Sequence, residues 1–307
     1  MLLKVSCMVN LVLQCLFSSA SDNSIMTVSD PDSGCHPRLD SVVTFCTKHQ
    51  MIKTHFLFIL LISGSIAFAQ GLQNVKEPVF KAGENLSYRL RYGFITAAEA
   101  SIKVLDTDAK FENRPVFHLF AEGRTAGSFN IFYKVRNRYD SYIDKETLCP
   151  YLYTENIREA NYRRNDKARF YQDEKRVVSN RGTFKGNGQT FDVVSAYFFA
   201  RSLDISKLKQ GDKFSMNYFL GDGISKLEVE FVGRERVKTV LGTFNCIKFS
   251  PSIQPGRIFR KDSKLYLWIT DDANRIPVKA HVEILVGSVT LELITVDGLK
   301  YPLGLVK

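Results

Sequence analysis

Hydrophobic and polar residues alternate with a period of two over most of the chain after residue 83. Residues 86–92 place Leu or Tyr at every second position, separated by Ser87, Arg89 and Arg91. The same alternation recurs at 100–104, 227–231 and 278–286, which is the pattern of strands with one buried and one solvated face. Turn-forming residues recur at short intervals, so the sequence predicts roughly a dozen antiparallel strands.

One segment departs from this alternation. Residues 191–203, FDVVSAYFFARSL, are apolar at too many consecutive positions for a strand with a solvated face. We predict a helix here, with Thr190 as its N-cap and Asp192 in its first turn, where a carboxylate suits the helix dipole. The expected fold class is mainly β, an antiparallel open barrel or sandwich with one central helix. A single β-rich domain over 70–307 fits this pattern, and so do two β-subdomains joined by helix 191–203.

Residues 51–69 have the composition of a secretory signal peptide. Lys53 supplies the positive start, 56–67 supply an apolar run, and Ala-Phe-Ala before Gln70 supplies a cleavage site with small flanking residues. The apolar run is shorter than the ~20 residues that a spanning helix needs. A lipid-modified signal is not supported, because no cysteine follows the cleavage site. We therefore predict a periplasmic or otherwise exported chain without a membrane span.

Residues 1–50 precede this signal, although a signal peptide works at the start of a chain. We predict that Met51 is the initiator and that 1–50 are a mis-assigned, disordered upstream extension. This segment shows no sustained period of 3.6 or of 2. A genuine N-terminal extension is the alternative.

The excess positive charge belongs to the predicted exported part. The chain has 42 Lys and Arg against 32 Asp and Glu, a net charge of +10, and residues 1–69 contribute equally to both totals. An exported basic protein meets anionic lipid head groups, glycans or cell-wall polymer rather than nucleic acid. A soluble surface that is merely rich in lysine is the alternative interpretation.

The cysteines exclude a disulfide scaffold. Of six in the chain, only Cys149 and Cys246 follow residue 69. The spacing of these two leaves open whether they form a bridge or remain two buried thiols.

Few residues suit catalysis or metal binding. His118 and His281 each lie in a strand pattern without a paired-ligand motif, so we predict no metal site and no cofactor. Asp271 and Asp272 are interpreted as turn residues rather than as an acid and base. We therefore expect a protein that is not an enzyme. The alternative is an envelope-polymer hydrolase using Asp271, Asp272 or Glu159, which requires two carboxylates about 5–10 Å apart in a cleft.

Four segments resemble a known family. They are GENLSYRLRYGF at 83–94, FDVVSAYFFAR at 191–201, GTFNCIKFSP at 242–251, and LYLWITDDANRIPVKAHVEILVGSVTLEL at 265–293. In order and spacing they resemble the exported domain-of-unknown-function 3108 family over nearly all of the predicted mature chain. The resemblance implies an envelope protein with a mostly antiparallel β fold, similar in outline to the open half-barrels of lipoprotein carriers. It implies no established reaction, and residues 1–50 depart from the family pattern.

We expect a periplasmic protein whose curved sheet binds an apolar or amphipathic envelope ligand, such as a lipid or glycolipid, or an anionic envelope polymer. Tyrosines and arginines at the groove edge would hold the polar end of that ligand. The candidate ligand-binding residues are Tyr88, Tyr92, Tyr133, Arg136, Tyr151, Tyr153 and Trp268. Interleaved Tyr and Arg residues between 151 and 171 support this hypothesis, although they also suit a solvated face whose tyrosines pack across strands. An outer-membrane β-barrel is a further alternative, against which the internal helix and the many charged positions argue.

The signal-peptide interpretation predicts the first residue of the isolated protein. Intact mass spectrometry of protein recovered from its host is expected to give a chain that begins at Gln70. Peptides from residues 1–50 in the same preparation would contradict the assignment of Met51 as the initiator.

Overall fold

The computed structural model describes residues 77–221, 223–253 and 263–306. These residues belong to one compact unit. The predicted extension at 1–50 and the predicted signal peptide at 51–69 lie outside the described residues.

Strands dominate the described part of the chain. They are β1 (Asn85–Tyr92), β2 (Ile95–Leu105), β3 (Lys110–Phe111), β4 (Arg114–Thr125), β5 (Val135–Asp144), β6 (Pro150–Glu159), β7 (Tyr162–Tyr171), β8 (Arg176–Ser179), β9 (Gly182–Lys185), β10 (Thr190–Asp192), β11 (Lys213–Leu220), β12 (Gly223–Thr239), β13 (Gly242–Pro251), β14 (Leu265–Thr270), β15 (Pro277–Glu283) and β16 (Ser288–Asp297). Two helices accompany them, α1 (Phe129–Phe132) and α2 (Val193–Arg201).

All these strands form one open sheet, which confirms the predicted mainly β fold class. The order is β10-β11-β12-β13-β14-β15-β16-β1-β2-β4-β5-β6-β7-β8-β9, with β3 paired to β4 alone. The pairings are antiparallel except that of β10 with β11. Because β1 pairs with both β16 and β2, the strands before and after α2 belong to one sheet.

The sixteen strands exceed the rough dozen predicted. The excess comes from β3, β8, β9 and β10, which have two to four residues each. Segments this short contain too few alternations to reveal a period of two.

The sheet curls until its two ends approach each other. Phe184 in β9 and Phe219 in β11 lie at opposite ends of the strand order, yet their ring centroids are 5.4 Å apart. The ring of Phe170 in β7 also contacts Phe219, at 6.2 Å. The concave side therefore encloses a hydrophobic core, into which α2 is packed against β4, β5, β10 and β11.

The central helix is shorter than the predicted 191–203 and begins at a different cap. The side chain of Asp192, rather than of Thr190, accepts the backbone N–H groups of Val194 and Ser195 at 2.8 and 2.9 Å. The Ser195 hydroxyl in turn accepts the Asp192 backbone N–H at 2.9 Å, which completes a capping box. Thr190 belongs instead to β10.

Arg201 is a buried charge in the otherwise apolar α2. Its Nη1 and Nη2 donate to Glu84 Oε1 and Oε2 at 2.5 and 3.0 Å, and both side chains are 1% exposed. Nη2 also donates to the Asn274 carbonyl at 2.9 Å. Burial alone lowers the pKa of Arg201, but Tyr197 and Glu84 raise it above its ordinary value. The ion pair thus joins the end of α2 to the residue that precedes β1.

The turn after β15 differs from its prediction. Alternation predicted that the strand face continues to Val286, but β15 ends at Glu283 and Val286 is 58% exposed. Gly287, at φ +81°, supplies the left-handed conformation that closes the turn, and a Cβ atom there would lie 3.2 Å from the ring of Tyr92. The close contact with Tyr92 and the positive φ both favour glycine.

Removing the carboxylate of Glu84 is expected to destabilise the fold strongly. Glu84→Gln leaves the Arg201 guanidinium buried without its counter-ion, which costs roughly 3–5 kcal/mol. The matched control is Glu228→Gln in the half-exposed Lys213–Glu228 pair, 3.1 Å apart, which is expected to cost at most about 1 kcal/mol. Urea unfolding measures both free energies, and equal losses would contradict a special role for the buried pair.

The two described cysteines are free and buried. Burial raises the pKa of Cys149 to about 11 and that of Cys246 to about 12, so the reactive thiolate is scarce at neutral pH. Iodoacetamide at pH 8 is expected to leave both thiols unlabelled in the folded protein and to label both after unfolding. Peptide mass spectrometry distinguishes this result from a Cys149–Cys246 disulfide, which would block labelling in both states.

Candidate functional site

An apolar cavity lies between α2 and the concave face of strands β11–β14. Its volume is about 60 Å³, several times the roughly 10–15 Å³ that a single water needs. The helix contributes small or aromatic side chains and the strands contribute aliphatic and aromatic ones. The apolar lining comprises Ala196, Tyr197, Ala200, Ile205, Phe214, Met216, Leu227, Val229, Phe249, Pro251, Leu267 and Ile269.

Two arginines, Arg201 and Arg275, complete the lining of this cavity. Arg201 is neutralised by Glu84, as described above. Arg275 is half-buried, and its Nη1 donates to the carbonyl of Arg201, the last residue of α2, and to that of Leu203 just after it. Within the described ranges no carboxylate forms an ion pair with Arg275. Partial burial lowers the pKa of Arg275, but a guanidinium stays protonated in proteins.

The turn that presents Arg275 is held by Asp272. Its carboxylate accepts hydrogen bonds from the Thr270 hydroxyl and from the backbone N–H groups of Asn274, Arg275 and Gly304. Asp271 instead pairs with Arg234 at 3.1 Å. The Asp272 carboxylate therefore holds the turn, and the Asp271 carboxylate ties it to β12 through Arg234. Glu159, the third carboxylate of the hydrolase alternative, accepts a hydrogen bond from Asn137 Nδ2 at 2.8 Å inside the sheet.

A larger and more polar groove lies along β5, β6 and β7. Its volume is about 460 Å³. The acidic groups that line it are paired with arginines, since Asp140 accepts from Arg138 at 2.8 and 2.9 Å and lies 2.8 Å from His118 Nε2, and Glu155 and Asp166 both pair with Arg164. Burial raises the pKa of Asp140, but the hydrogen bonds with His118 and Arg138 outweigh it, and the net pKa is lowered. We favour the apolar cavity as the candidate site because it combines an apolar lining with Arg275, a half-buried cation that forms no ion pair with a described residue.

Two of the predicted ligand-binding tyrosines lie in the hydrophobic core. Tyr88 and Tyr153 are each 1% exposed. Burial, followed by Tyr197, raises the pKa of Tyr88, and the Tyr153 hydroxyl donates to Glu155 at 3.0 Å. Both side chains therefore belong to the packed interior and do not line the apolar cavity.

Three further predicted residues lie near one end of the sheet. The Tyr92 hydroxyl donates to the Val286 carbonyl at 2.8 Å. Tyr133 follows α1 and packs half-buried against the core. Arg136 alternates with the buried residues Val135 and Asn137, so its side chain is exposed on the outer face.

Tyr151 and Trp268 lie in two other places. Tyr151 stacks on Phe111 at 5.5 Å and donates to Asp144 at 3.2 Å. Trp268 alternates with the cavity-lining Leu267 and Ile269, and therefore faces the other side of the sheet. There its ring lies 4.9 and 5.3 Å from the ammonium groups of Lys248 and Lys279. The seven predicted residues thus do not form one site.

The sequence interpretation did not identify Arg201 or Arg275. A signal for Arg201 was present, because a charge inside the apolar run 191–203 requires a buried partner. Arg275 follows a turn that was correctly interpreted, but its approach to the cavity depends on where α2 ends in space. No local pattern in the sequence carries that information.

The described part of the chain contains no group of three or more His, Cys, Asp or Glu residues arranged to hold a metal ion. Among the same residues, no helix is long and apolar enough to cross a membrane.

Comparisons with solved structures give distant similarities. A β-barrel-like protein of the domain-of-unknown-function family DUF1849 from Brucella abortus shares 8% identity over 74% of this chain and 100% of its own, with a TM-score of 0.49. A Bacteroides fragilis protein, described as exported with a YmcC-like fold, shares 11% identity over 73% and 100%, with a TM-score of 0.33. A Parabacteroides distasonis protein, described as a lipoprotein, shares 10% identity over 73% and 99%, also at 0.33.

No curated protein matches this chain in sequence. A family profile does match, over residues 87–294, from β1 to β16. The match covers about two thirds of the chain. Of the four segments that carry the resemblance, three lie entirely within it, and most of the segment at 83–94 does as well. The chain therefore belongs to the protein-of-unknown-function family DUF3108.

Proposed function

We propose that this protein binds a small amphipathic ligand, with an alkyl chain and one anionic group, in the cavity between α2 and strands β11–β14. The observation that carries the proposal is the half-buried Arg275, which lines an apolar cavity and has no carboxylate partner among the described residues. We further propose that the protein acts outside the cytoplasm and is not an enzyme.

The lining explains the preference for an alkyl chain. Apolar cavities stay dry and take apolar ligands, because a water inside would lack the two to four polar partners it needs. Tyr197 is the uncharged polar side chain in the lining, and its hydroxyl lies near Tyr88 inside the core. Methylene groups that enter the cavity therefore gain contacts without displacing well-bound water.

Arg275 explains the preference for an anion. Its Nη1 is engaged with backbone carbonyls at the end of α2, which fixes the orientation of the guanidinium, while Nε and Nη2 donate to no described residue. A carboxylate or phosphate can accept two parallel hydrogen bonds from a guanidinium. Three acids act on Arg275 electrostatically without forming an ion pair with it, namely Asp204, Asp271 and Asp272. The Nε and Nη2 groups therefore remain available to an anionic ligand.

The location follows from the predicted signal peptide and the basic surface. A chain exported after cleavage at Gln70 would meet amphipathic envelope molecules, and those with a short alkyl chain and an anionic end match a cavity of about 60 Å³. A hydrophobic cavity beside one fixed cation suits this class of ligand better than it suits a polymer.

The proposal predicts a charge-dependent affinity. By isothermal titration calorimetry, the wild-type protein is expected to bind butanoate, whose short chain suits a cavity of about 60 Å³, about 10–100-fold more tightly than 1-butanol, since a hydrogen bond to a charged group contributes roughly 1.5–3 kcal/mol. Arg275→Gln is expected to abolish this difference, and Ala200→Leu, which fills the cavity, is expected to weaken the binding of both ligands.

Arg236→Gln serves as the matched control, because Arg236 is an exposed arginine on β12 that does not line the cavity. It is expected to leave both affinities unchanged. Thermal unfolding of each variant separates lost binding from lost folding. Absence of binding by the folded wild-type protein, or an unchanged preference in Arg275→Gln, would overturn the proposal.

A further inference from the structure

Several turns lie side by side at one end of the sheet, and we name them the rim. The rim consists of residues 93–95, 126–134, 160–162 and 284–287. Three hydrogen bonds connect its turns: Tyr92 Oη to Val286 O at 2.8 Å, Ala126 N to Ala97 O at 3.0 Å, and Ala160 N to Lys134 O at 2.8 Å. The rim is therefore one continuous surface.

Exposed hydrophobic side chains are concentrated on the rim. Seven of the nine large hydrophobic residues that are exposed among the described residues lie there, namely Phe94, Ile95, Ile131, Phe132, Tyr162, Leu285 and Val286. Phe94 is 94% exposed, Ile131 83% and Phe132 72%. Single exposed hydrophobic residues need no explanation, but a group of them at the tips of adjoining turns marks an interaction surface.

A row of arginines lies directly behind these tips. Arg124, Arg136, Arg158 and Arg163 are directly opposite one another on the adjacent strands β4, β5, β6 and β7. All four side chains are exposed on the outer face. Neighbouring strands are about 4.8 Å apart, and like charges directly opposite each other destabilise a sheet.

The arginine row is only partly neutralised. Arg124 pairs with Glu99 at 2.9 Å. Arg158 and Arg163 donate to uncharged oxygens, and Arg136 has no ion pair with any described residue. Lys134 adds a further exposed positive charge, and Glu283 adds an exposed negative charge. The neighbouring arginines therefore repel one another, and an extended anionic partner would reduce this repulsion.

We propose that the rim docks this protein onto the surface of an anionic lipid bilayer. Apolar side chains at the turn tips would enter the boundary between head groups and acyl chains, and the arginine row behind them would lie at the level of the lipid phosphates. An anionic polymer would satisfy the arginines but would leave the exposed Phe94, Ile131 and Phe132 in water. A bilayer accounts for the exposed apolar tips, for the arginine row, and for the position of the arginines behind the tips along the strands.

The proposal is independent of ligand binding in the cavity, since none of the rim residues lines it. It also explains Arg136, which the sequence interpretation selected as a binding residue and which lies far along the sheet from the cavity strands β11–β14.

Vesicle flotation tests the arginine row. The protein is expected to float with vesicles of equal parts phosphatidylcholine and phosphatidylglycerol and to remain unbound with phosphatidylcholine alone. Arg136→Gln and Arg158→Gln are each expected to weaken binding about fivefold, with a further loss at high salt. The exposed Arg236→Gln, away from the rim, is expected to bind like the wild type. Every variant has the same sequence before residue 77, so any membrane binding by that segment is the same in all of them. Differences in flotation between variants therefore report on the rim.

Fluorescence quenching tests the hydrophobic tips. In Phe132→Trp, lipids brominated on their acyl chains are expected to quench the fluorescence of the introduced tryptophan. The total quenching should therefore exceed that of the wild type, in which Trp268 is the only tryptophan. The matched control is Val240→Trp, since Val240 is 57% exposed in the β12–β13 turn at the opposite end of the sheet. Equal quenching of the two introduced tryptophans, or binding that does not depend on Arg136 and Arg158, would overturn the proposal.

Discussion

The buried ion pair between Arg201 and Glu84 is the interaction on which the interior depends. A sheet that curls without closing leaves an opening, and α2 occupies part of the enclosed space. An arginine this deeply buried must keep its counter-ion, because an unpaired charge in an apolar interior is far costlier than the pair itself. The pair therefore fixes both the depth of α2 and its rotation, and Asp192 fixes the opposite end through its capping box.

The apolar cavity follows from that placement. With Arg201 directed to Glu84, the small residues Ala196 and Ala200 face strands β11–β14 and leave space there. The β14–β15 turn then reaches the end of α2, where Arg275 meets the last carbonyls of the helix. The position of α2 therefore determines both the cavity and the location of Arg275 beside it, although α2 and the β14–β15 turn are far apart in sequence.

Local patterns were enough to predict the longer strands and the existence of the helix, but not the short strands or the arrangement of the side chains. Alternation places Tyr88 on the apolar face of its strand but does not say whether that face meets a filled core or an open groove, so Tyr88 and Tyr153 were chosen as binding residues although they are buried. Likewise, the arginine row depends on the register of β4 through β7. Register is set by turn lengths and by pairing between distant segments, and therefore Arg136 was selected without its three neighbours.

The described arginines lie in environments that range from the buried interior to the solvated surface, and the contrast separates a structural role from the proposed binding roles. Arg201 lies where the dielectric is low, so its charge is committed to one partner and offers nothing to a ligand. The arginines behind the rim lie in water, where repulsion between neighbours is reduced by solvent and by salt over about 8–10 Å. Their charge is therefore tolerated without full pairing and stays available to an external anion. Arg275 is intermediate, because it is half-buried and its guanidinium is oriented by backbone carbonyls, and the anion-binding role that we propose for it depends on that fixed orientation.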